Sequence, residues 1–155
     1  MSVNAPAPFR CTDRVRWADV DLVAIMRFSA FPRLVEVAEQ ELLRAVGLPY
    51  AILFDHPRLW MPRRRLEVDY FAPAHLDDDL ALVTYVSRMG ETSLTLQVDI
   101  RHATRHTLIA AATMVVVCVT VEGFVKRPLP QSTRDALAPF VLSVEAARAD
   151  APETR

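Results

Sequence analysis

Two carboxylates are the first residues that could do chemistry. Asp19 and Asp21 stand in the stretch ADVDLVAIMR, between a segment of alternating character and a long amphipathic one. Loop aspartates commonly form turns, because their side chains accept hydrogen bonds from nearby backbone amides. Their position adds a second capacity. A helix N-terminus presents unpaired N–H groups and a partial positive end, which stabilise a developing oxyanion. A carboxylate one loop upstream could attack a carbonyl held there, or activate water against it. The other polar candidates read more plainly. His102 and His106 share strand parity but lack an acid or cysteine partner, which makes them surface residues rather than a metal pair. His56 and His75 fall in loops, and Glu36 and Glu39 read as surface or interface residues of a helix. Arg63-Arg64-Arg65 reads as a solvated strand edge that could also meet a phosphate or a partner subunit.

The elements that must position the aspartates follow from periodicity. Cys11, Val15 and Trp17 alternate with Thr12, Arg14 and Arg16, as in a half-buried strand. Phe31, Leu34, Val35, Ala38, Leu42, Ala45 and Val46 recur at helical spacing and predict a helix over Ser29–Val46, with Ser29 as cap, Pro32 in the first turn and Gly47 at the stop. Residues 48–62 carry three prolines and read as a loop with one short helical turn. Strand patterns follow around Leu66–Tyr70, Leu80–Val86 and Leu94–Arg101. Leu108–Val121 is apolar on both parities and reads as a strand buried on both faces. Pro128 and Pro130 end the sheet, a weak helix falls over Ser132–Phe140, and the last dozen residues read as frayed. Consecutive strands joined by short turns favour an antiparallel sheet. The expected fold is α+β, with one long helix partly wrapped by a curved sheet.

Composition narrows the function. The chain has 155 residues, 52% hydrophobic and 24% charged, with a formal net charge of -1, enough for one domain with its own core. Only Gly47, Gly90 and Gly123 are glycine, against 11 prolines. Phosphate-gripping loops need glycines closely spaced, so P-loop and dinucleotide-binding enzymes are excluded. Balanced charge gives no attraction to nucleic acid. Cys11 and Cys118 fit neither a redox pair nor a zinc quartet. The first residues show no signal-peptide pattern, and no apolar run reaches membrane-spanning length. The expectation is a soluble cytoplasmic protein without a metal, folded as a single domain over residues 10–142, with 1–9 and 143–155 as flexible termini.

The stretch Val15-Arg-Trp-Ala-Asp19-Val-Asp21-Leu-Val-Ala24-Ile-Met-Arg-Phe28-Ser-Ala-Phe31 resembles the opening of the hotdog-fold acyl-CoA thioesterases of the 4-hydroxybenzoyl-CoA thioesterase type. The likeness continues through Val68-Asp-Tyr70-Phe-Ala-Pro73-Ala-His-Leu-Asp-Asp78, then Arg88-Met-Gly90-Glu-Thr-Ser93, then Arg127-Pro-Leu-Pro130. It implies a hotdog fold of about five antiparallel strands around a central helix. It also implies roles. Asp21 attacks the thioester or activates the hydrolytic water, the backbone N–H of Phe28 polarises the carbonyl, and Asp19 pins the loop. Met26 and Arg27 flank the pocket, and Arg88, Gly90 and Ser93 match a turn near the CoA phosphates. Pocket depth is expected to depend on Met26, Phe28, Leu59, Trp60 and a partner subunit. The implied substrate is an acyl-CoA or an acyl-carrier-protein thioester, CoA being part of the substrate and no cofactor being needed. The implied assembly is a homodimer or homotetramer with sites at the subunit interface.

This chain departs from the pattern at Ala24 and Asp77, which replace family glycines, and at Phe28 and Phe31, which replace tyrosines. A loop needing positive φ at Ala24 would be strained. These departures motivate a competing reading, a hotdog protein that binds acyl thioesters without cleaving them. Enoyl-CoA hydration fits less well, because Met26 stands where hydratases of this fold carry a histidine.

Overall fold

The computed structural model describes residues 5–55 and 59–149. Five antiparallel strands form a single sheet: β1 (Phe9–Arg14), β2 (Arg63–Tyr70), β3 (Asp79–Met89), β4 (Ser93–His102) and β5 (Leu108–Val117), in the spatial order β1-β3-β4-β5-β2. β3, β4 and β5 form a meander. β1 joins it with Phe9 opposite Thr84 and Arg14 opposite Asp79, and β2 joins the far side with Tyr70 opposite Ala110.

Helix α1 (Phe31–Ala45) lies across the concave face. Leu34, Val35, Ala38 and Leu42 are fully buried against Leu82, Leu96, Val98, Ile100, Ala112 and Met114, one parity from each central strand. Each such aliphatic side chain contributes about 1.5–3 kcal/mol of burial, so this interface holds the fold together. Gly47, at φ +76, ends the helix where the sequence predicts. This is the α+β hotdog architecture expected from the sequence.

Several boundaries differ from expectation. β1 ends at Arg14, and Trp17 is not in it. Instead Trp17–Asp19 form a 3-10 turn that leaves the indole 80% exposed. The helix starts two residues late. Phe28–Ala30 form a 3-10 turn leading into α1, and Ser29 makes no capping bond. β5 stops at Val117, beyond which the chain peels away so that Val119 bridges both Trp60 and Lys126. Its concave-face residues Ala110, Ala112, Met114 and Val116 are buried, but Ala111, Thr113 and Val115 on the outer face are only half-buried.

A short helix α2 (Tyr50–Asp55) occupies the proline-rich loop, and α3 (Gln131–Leu137) with a 3-10 turn follows the sheet. Phe9, counted with the leader, is the first residue of β1. Within the expected flexible tail 143–155, Val144–Ala149 form a further helix, α4. It docks on the outer sheet face, where Arg148 makes two 2.8 Å bonds to the buried carboxylate of Asp99.

Candidate active site

The loop between β1 and α1 is held from two sides. From below, Asp19 is buried and accepts the Arg16 backbone N–H at 2.9 Å and two donors of Arg33, at 3.0 and 2.5 Å. Arg33 also reaches Asp13 at 2.5 Å. The guanidinium of α1 thus staples β1 and the loop to the helix, with Asp19 in the pinning role expected of it. Burial raises the Asp13 pKa, but the Arg14 N–H and the Arg33 charge outweigh it and hold the carboxyl below its usual range.

From the side, the loop is sewn to the turn between β2 and β3. The Met26 N–H donates to Ala74 O at 2.8 Å, Leu76 to Ala24 O at 3.2 Å, and Val15 to Asp78 O at 3.0 Å. Two residues in this seam have left-handed backbone, Ala24 at φ 60 and Asp77 at φ 67. They are the two positions where this chain lacks the glycines of the resemblance. The loop therefore keeps a glycine-type conformation without glycine, at a steric cost carried by the surrounding bonds.

Asp21 sits at the exposed tip. Its N–H donates to Ile25 O, its carbonyl accepts from Ala24, and its Oδ1 accepts the Val23 N–H at 2.9 Å. The exposed carboxylate is thus oriented by an Asx-type turn through Oδ1. It borders an open cleft of about 420 Å³ together with Trp17, Leu22 and Arg27, whose guanidinium is held by Ala18 O at 2.5 Å.

Phe28 begins the 3-10 turn ahead of α1, and its backbone N–H carries no hydrogen-bond partner among the described residues. Its ring is 76% exposed. Phe28 and Met26 line a neighbouring cleft of about 330 Å³ with Phe31, Tyr70, Phe71 and Ala74. Met26 lines this second cleft and Arg27 the first, so the two residues stand between them. The Tyr70 hydroxyl donates to Phe28 O at 3.3 Å, and its ring packs edge-on against Phe31 at 5.0 Å. Tyr70 thus positions the Phe28 peptide. No local sequence pattern marks Tyr70 for this contact, which forms only when β2 is brought beside the start of α1.

Other candidates lie elsewhere. Gly90 and Ser93 form the turn between β3 and β4, with Gly90 N–H donating to Ser93 O at 2.8 Å and Arg134 capping Gly90 O at 2.6 Å. This turn, with the exposed Arg88, is at the opposite end of β3 from the aspartate loop, about 30 Å away along an 11-residue strand. Leu59 is buried in the core and Trp60 bridges Val119, again at the far end of the sheet. Within one chain none of these meets Asp21 or Phe28.

Two groups read as superficial are buried. His102 accepts the N–H groups of Thr104 and Arg105 at Nδ1 and points Nε2 toward Asp78 at 3.5 Å. Glu39, 1% exposed in mid-α1, receives Arg63 on Oε2, and Arg63 also donates to the Tyr50 hydroxyl at 2.9 Å. Oε1 of Glu39 has no hydrogen-bond partner among the described residues. Burial raises the Glu39 pKa, and the Tyr50 and Arg63 contacts only partly oppose it. His56 lies outside the described residues. Among the described residues, no group of three or more His, Cys, Asp or Glu could hold a metal ion, and no helix is long and apolar enough to cross a membrane.

A five-stranded sheet curled around one helix, with a carboxylate loop leading to the helix start, defines a class, and comparison bears it out. The profile of the thioesterase-like superfamily matches residues 15–137, and the chain belongs to that family of thioester hydrolases. Among curated relatives, it is 33% identical to the acyl-CoA thioester hydrolase YbgC of Escherichia coli O157:H7 over 124 residues, 80% of this chain and 91% of that protein. Solved structures agree in fold. A 1,4-dihydroxy-2-naphthoyl-CoA thioesterase from Synechocystis superposes with TM-score 0.79 at 24% identity, covering 85% of this chain and 96% of that one. A thioesterase-superfamily protein from Jannaschia gives 0.81 at 23%, covering 92% and 99%.

Proposed function

We propose that this chain hydrolyses acyl-CoA thioesters to a free acid and CoA thiol. What supports the reading is one short loop that carries the Asp21 carboxylate at its tip and, where it enters α1, the Phe28 N–H, which has no hydrogen-bond partner among the described residues. A thioester carbonyl accepting the Phe28 N–H has its oxygen stabilised as charge develops. Asp21 then either attacks the carbonyl carbon, giving an acyl anhydride that water hydrolyses to the acid and free Asp21, or takes the proton of a water that attacks directly; in both cases CoA leaves as thiolate and is protonated to the thiol. The cycle needs no metal or organic cofactor. CoA is favoured over a carrier protein because the relatives' names specify CoA esters.

Met26 and Phe28 would line the acyl cleft and Arg27 its mouth. Arg88, Gly90 and Ser93 would reach the CoA phosphates only from a second subunit, since they lie at the far end of their own sheet. A homodimer, alone or paired into a tetramer, is therefore part of this reading. The left-handed turn at Ala24 supports catalysis over mere binding, because the loop that carries Asp21 keeps the glycine-type conformation without a glycine.

The test is turnover of an acyl-CoA panel with thiol detection, for wild type and Asp21→Asn. Removing a positioned base or nucleophile costs about 10²–10⁴-fold, so at least a hundredfold loss is expected. Unchanged turnover in the variant removes Asp21 from the mechanism.

A further inference from the structure

His102 is buried at the end of β4, and the proposed reaction makes no use of it. Both of its ring nitrogens are committed. Nδ1 accepts the N–H groups of Thr104 and Arg105, at 3.3 and 3.2 Å, and so winds the turn that leads into β5. A neutral imidazole that accepts at Nδ1 carries its proton on Nε2. Here Nε2 stands 3.5 Å from Oδ1 of Asp78. A ring engaged in this way has no free nitrogen to serve as a base or a metal ligand.

Asp78 is the residue through which this ring reaches the site. Its Oδ2 accepts the His75 N–H at 2.8 Å, and its own N–H donates to His75 O at 3.1 Å, so Asp78 closes the turn between β2 and β3. Arg105, at 3.6 Å, and the His75 ring, at 3.7 Å, also approach Oδ2. Oδ1 faces His102 alone among the described residues. With Oδ2 spent on the turn, the tilt of the carboxylate is set at Oδ1, where His102 stands.

The turn meets the aspartate loop over three consecutive residues. Ala74 O accepts from Met26, His75 bridges Ile25, and Leu76 donates to Ala24 O. Ile25 O in turn holds the Asp21 N–H, and the chain runs on from Met26 through Arg27 to Phe28. Left-handed Asp77 lies in the turn, at φ 67, and left-handed Ala24 in the loop, at φ 60. Such conformations persist only where surrounding contacts over-determine them. His102 supplies one of those contacts from a third segment of the chain.

We propose that His102 is a positioning residue: through Oδ1 of Asp78 it sets the turn that holds Asp21 and the Phe28 N–H in their working arrangement. The effect on turnover rests on the acyl-CoA reading above, whereas the effect on the loop does not.

Two substitutions separate the contacts of the ring. In His102→Gln the amide nitrogen takes the place of Nε2, which keeps a donor at Asp78 and removes the acceptor of the Thr104 turn. In His102→Asn the amide oxygen takes the place of Nδ1, which keeps that turn and leaves Oδ1 of Asp78 without its donor. Misplacing a reacting group by about 1 Å costs up to about a hundredfold, so kcat should fall about tenfold in His102→Asn and stay within about threefold of wild type in His102→Gln. Equal losses, or a larger loss in His102→Gln, overturn the proposal, since a histidine that merely supports the fold would give either. Amide hydrogen exchange at Met26 and Leu76 reads the same contact without substrate. Relative to amides in the middle of β4, both should exchange at least about tenfold faster in His102→Asn than in His102→Gln. Equal protection in the two variants overturns the proposal even where turnover differs. A wild type that turns over no acyl-CoA removes the acyl-CoA reading, and the exchange rates alone then uphold or overturn the positioning role.

Discussion

Replacing Glu39 with leucine and, separately, Arg63 with methionine breaks the same ion pair with opposite signs. In the wild type Glu39 lies inside the core, 1% exposed, and its Oε1 has no hydrogen-bond partner among the described residues. An unsatisfied buried acceptor costs about 1–3 kcal/mol. Leucine removes that cost and leaves Arg63, whose side chain is 41% exposed, free to hydrate while keeping the Tyr50 hydroxyl. The expected gain is about 1–2 kcal/mol, within the range seen when buried ion pairs are replaced by apolar residues. Arg63→Met instead strands the carboxylate. The cost of breaking a buried pair from one side is about 3–5 kcal/mol, and the partial exposure of Arg63 puts this case near about 3.

At this size 1 kcal/mol moves Tm by about 2–4 °C, so Glu39→Leu should melt several degrees above wild type and Arg63→Met about 6–12 °C below it. Protomer concentration must be matched throughout. The pH dependence is an independent check. The folded Glu39 pKa is raised above the ordinary value of 4.5, so the folded state binds the extra proton and wild-type stability falls as pH rises from about 4.5 through the folded pKa. The advantage of Glu39→Leu should therefore be smallest at pH 4 and grow as pH rises through the folded pKa. A Glu39→Leu protein that melts below wild type at pH 7, or whose margin does not change with pH, refutes the reasoning.

Other perturbations follow from the same contacts. Ala24→Gly should raise stability by about 0.5–1 kcal/mol, because relief of left-handed strain exceeds the added unfolded-state entropy; Asp77→Gly should gain less, since aspartate tolerates that region. Urea titration reads both, and a loss at Ala24 would contradict the φ of 60 found there. Arg148→Met leaves Asp99, 2% exposed, with only Arg101 at 3.7 Å, and should cost about 3 kcal/mol by the same titration. In Arg33→Met the Asp13 carboxyl loses a donor that helps depress its pKa. A depressed folded pKa gives stability that is present above the unfolded value and lost as pH falls through the folded one. Melting curves from pH 7 to pH 2 should thus show the gap between wild type and variant narrowing below about pH 4.

The central helix was legible because its apolar positions repeat at helical spacing, and Gly47 marks its end. The aspartate loop was legible through Asp19, Asp21 and the glycine substitutions, whose backbone angles explain why Ala24 and Asp77 stand out. The periodicity of β1 misled at Trp17, because alternation continues past Arg14 with no Gly or Pro to interrupt it while the chain turns into a 3-10 turn. Glu39 was misread for a different reason. A glutamate next to Ala38 on an amphipathic helix looks solvated until Arg63, 24 residues on, folds over it. His102 hides in the same way behind Asp78. Pairings set by tertiary contact leave no local pattern.

The way the sheet is assembled also sets an order in time. β3, β4 and β5 are joined by short turns and can pair as soon as each emerges. β1 must find β3 across some 75 residues, Phe9 meeting Thr84, and β2 must wait for β5. Closing such distant contacts is slow, since the loop entropy is spent before the contacts repay it. The aspartate loop is fastened by residues 74–78, so although it leaves the ribosome early it has nothing to fold against until β3 follows. The geometry of the proposed site is therefore acquired well after the residues that form it. A polypeptide released before β3 emerges would carry both aspartates and no site.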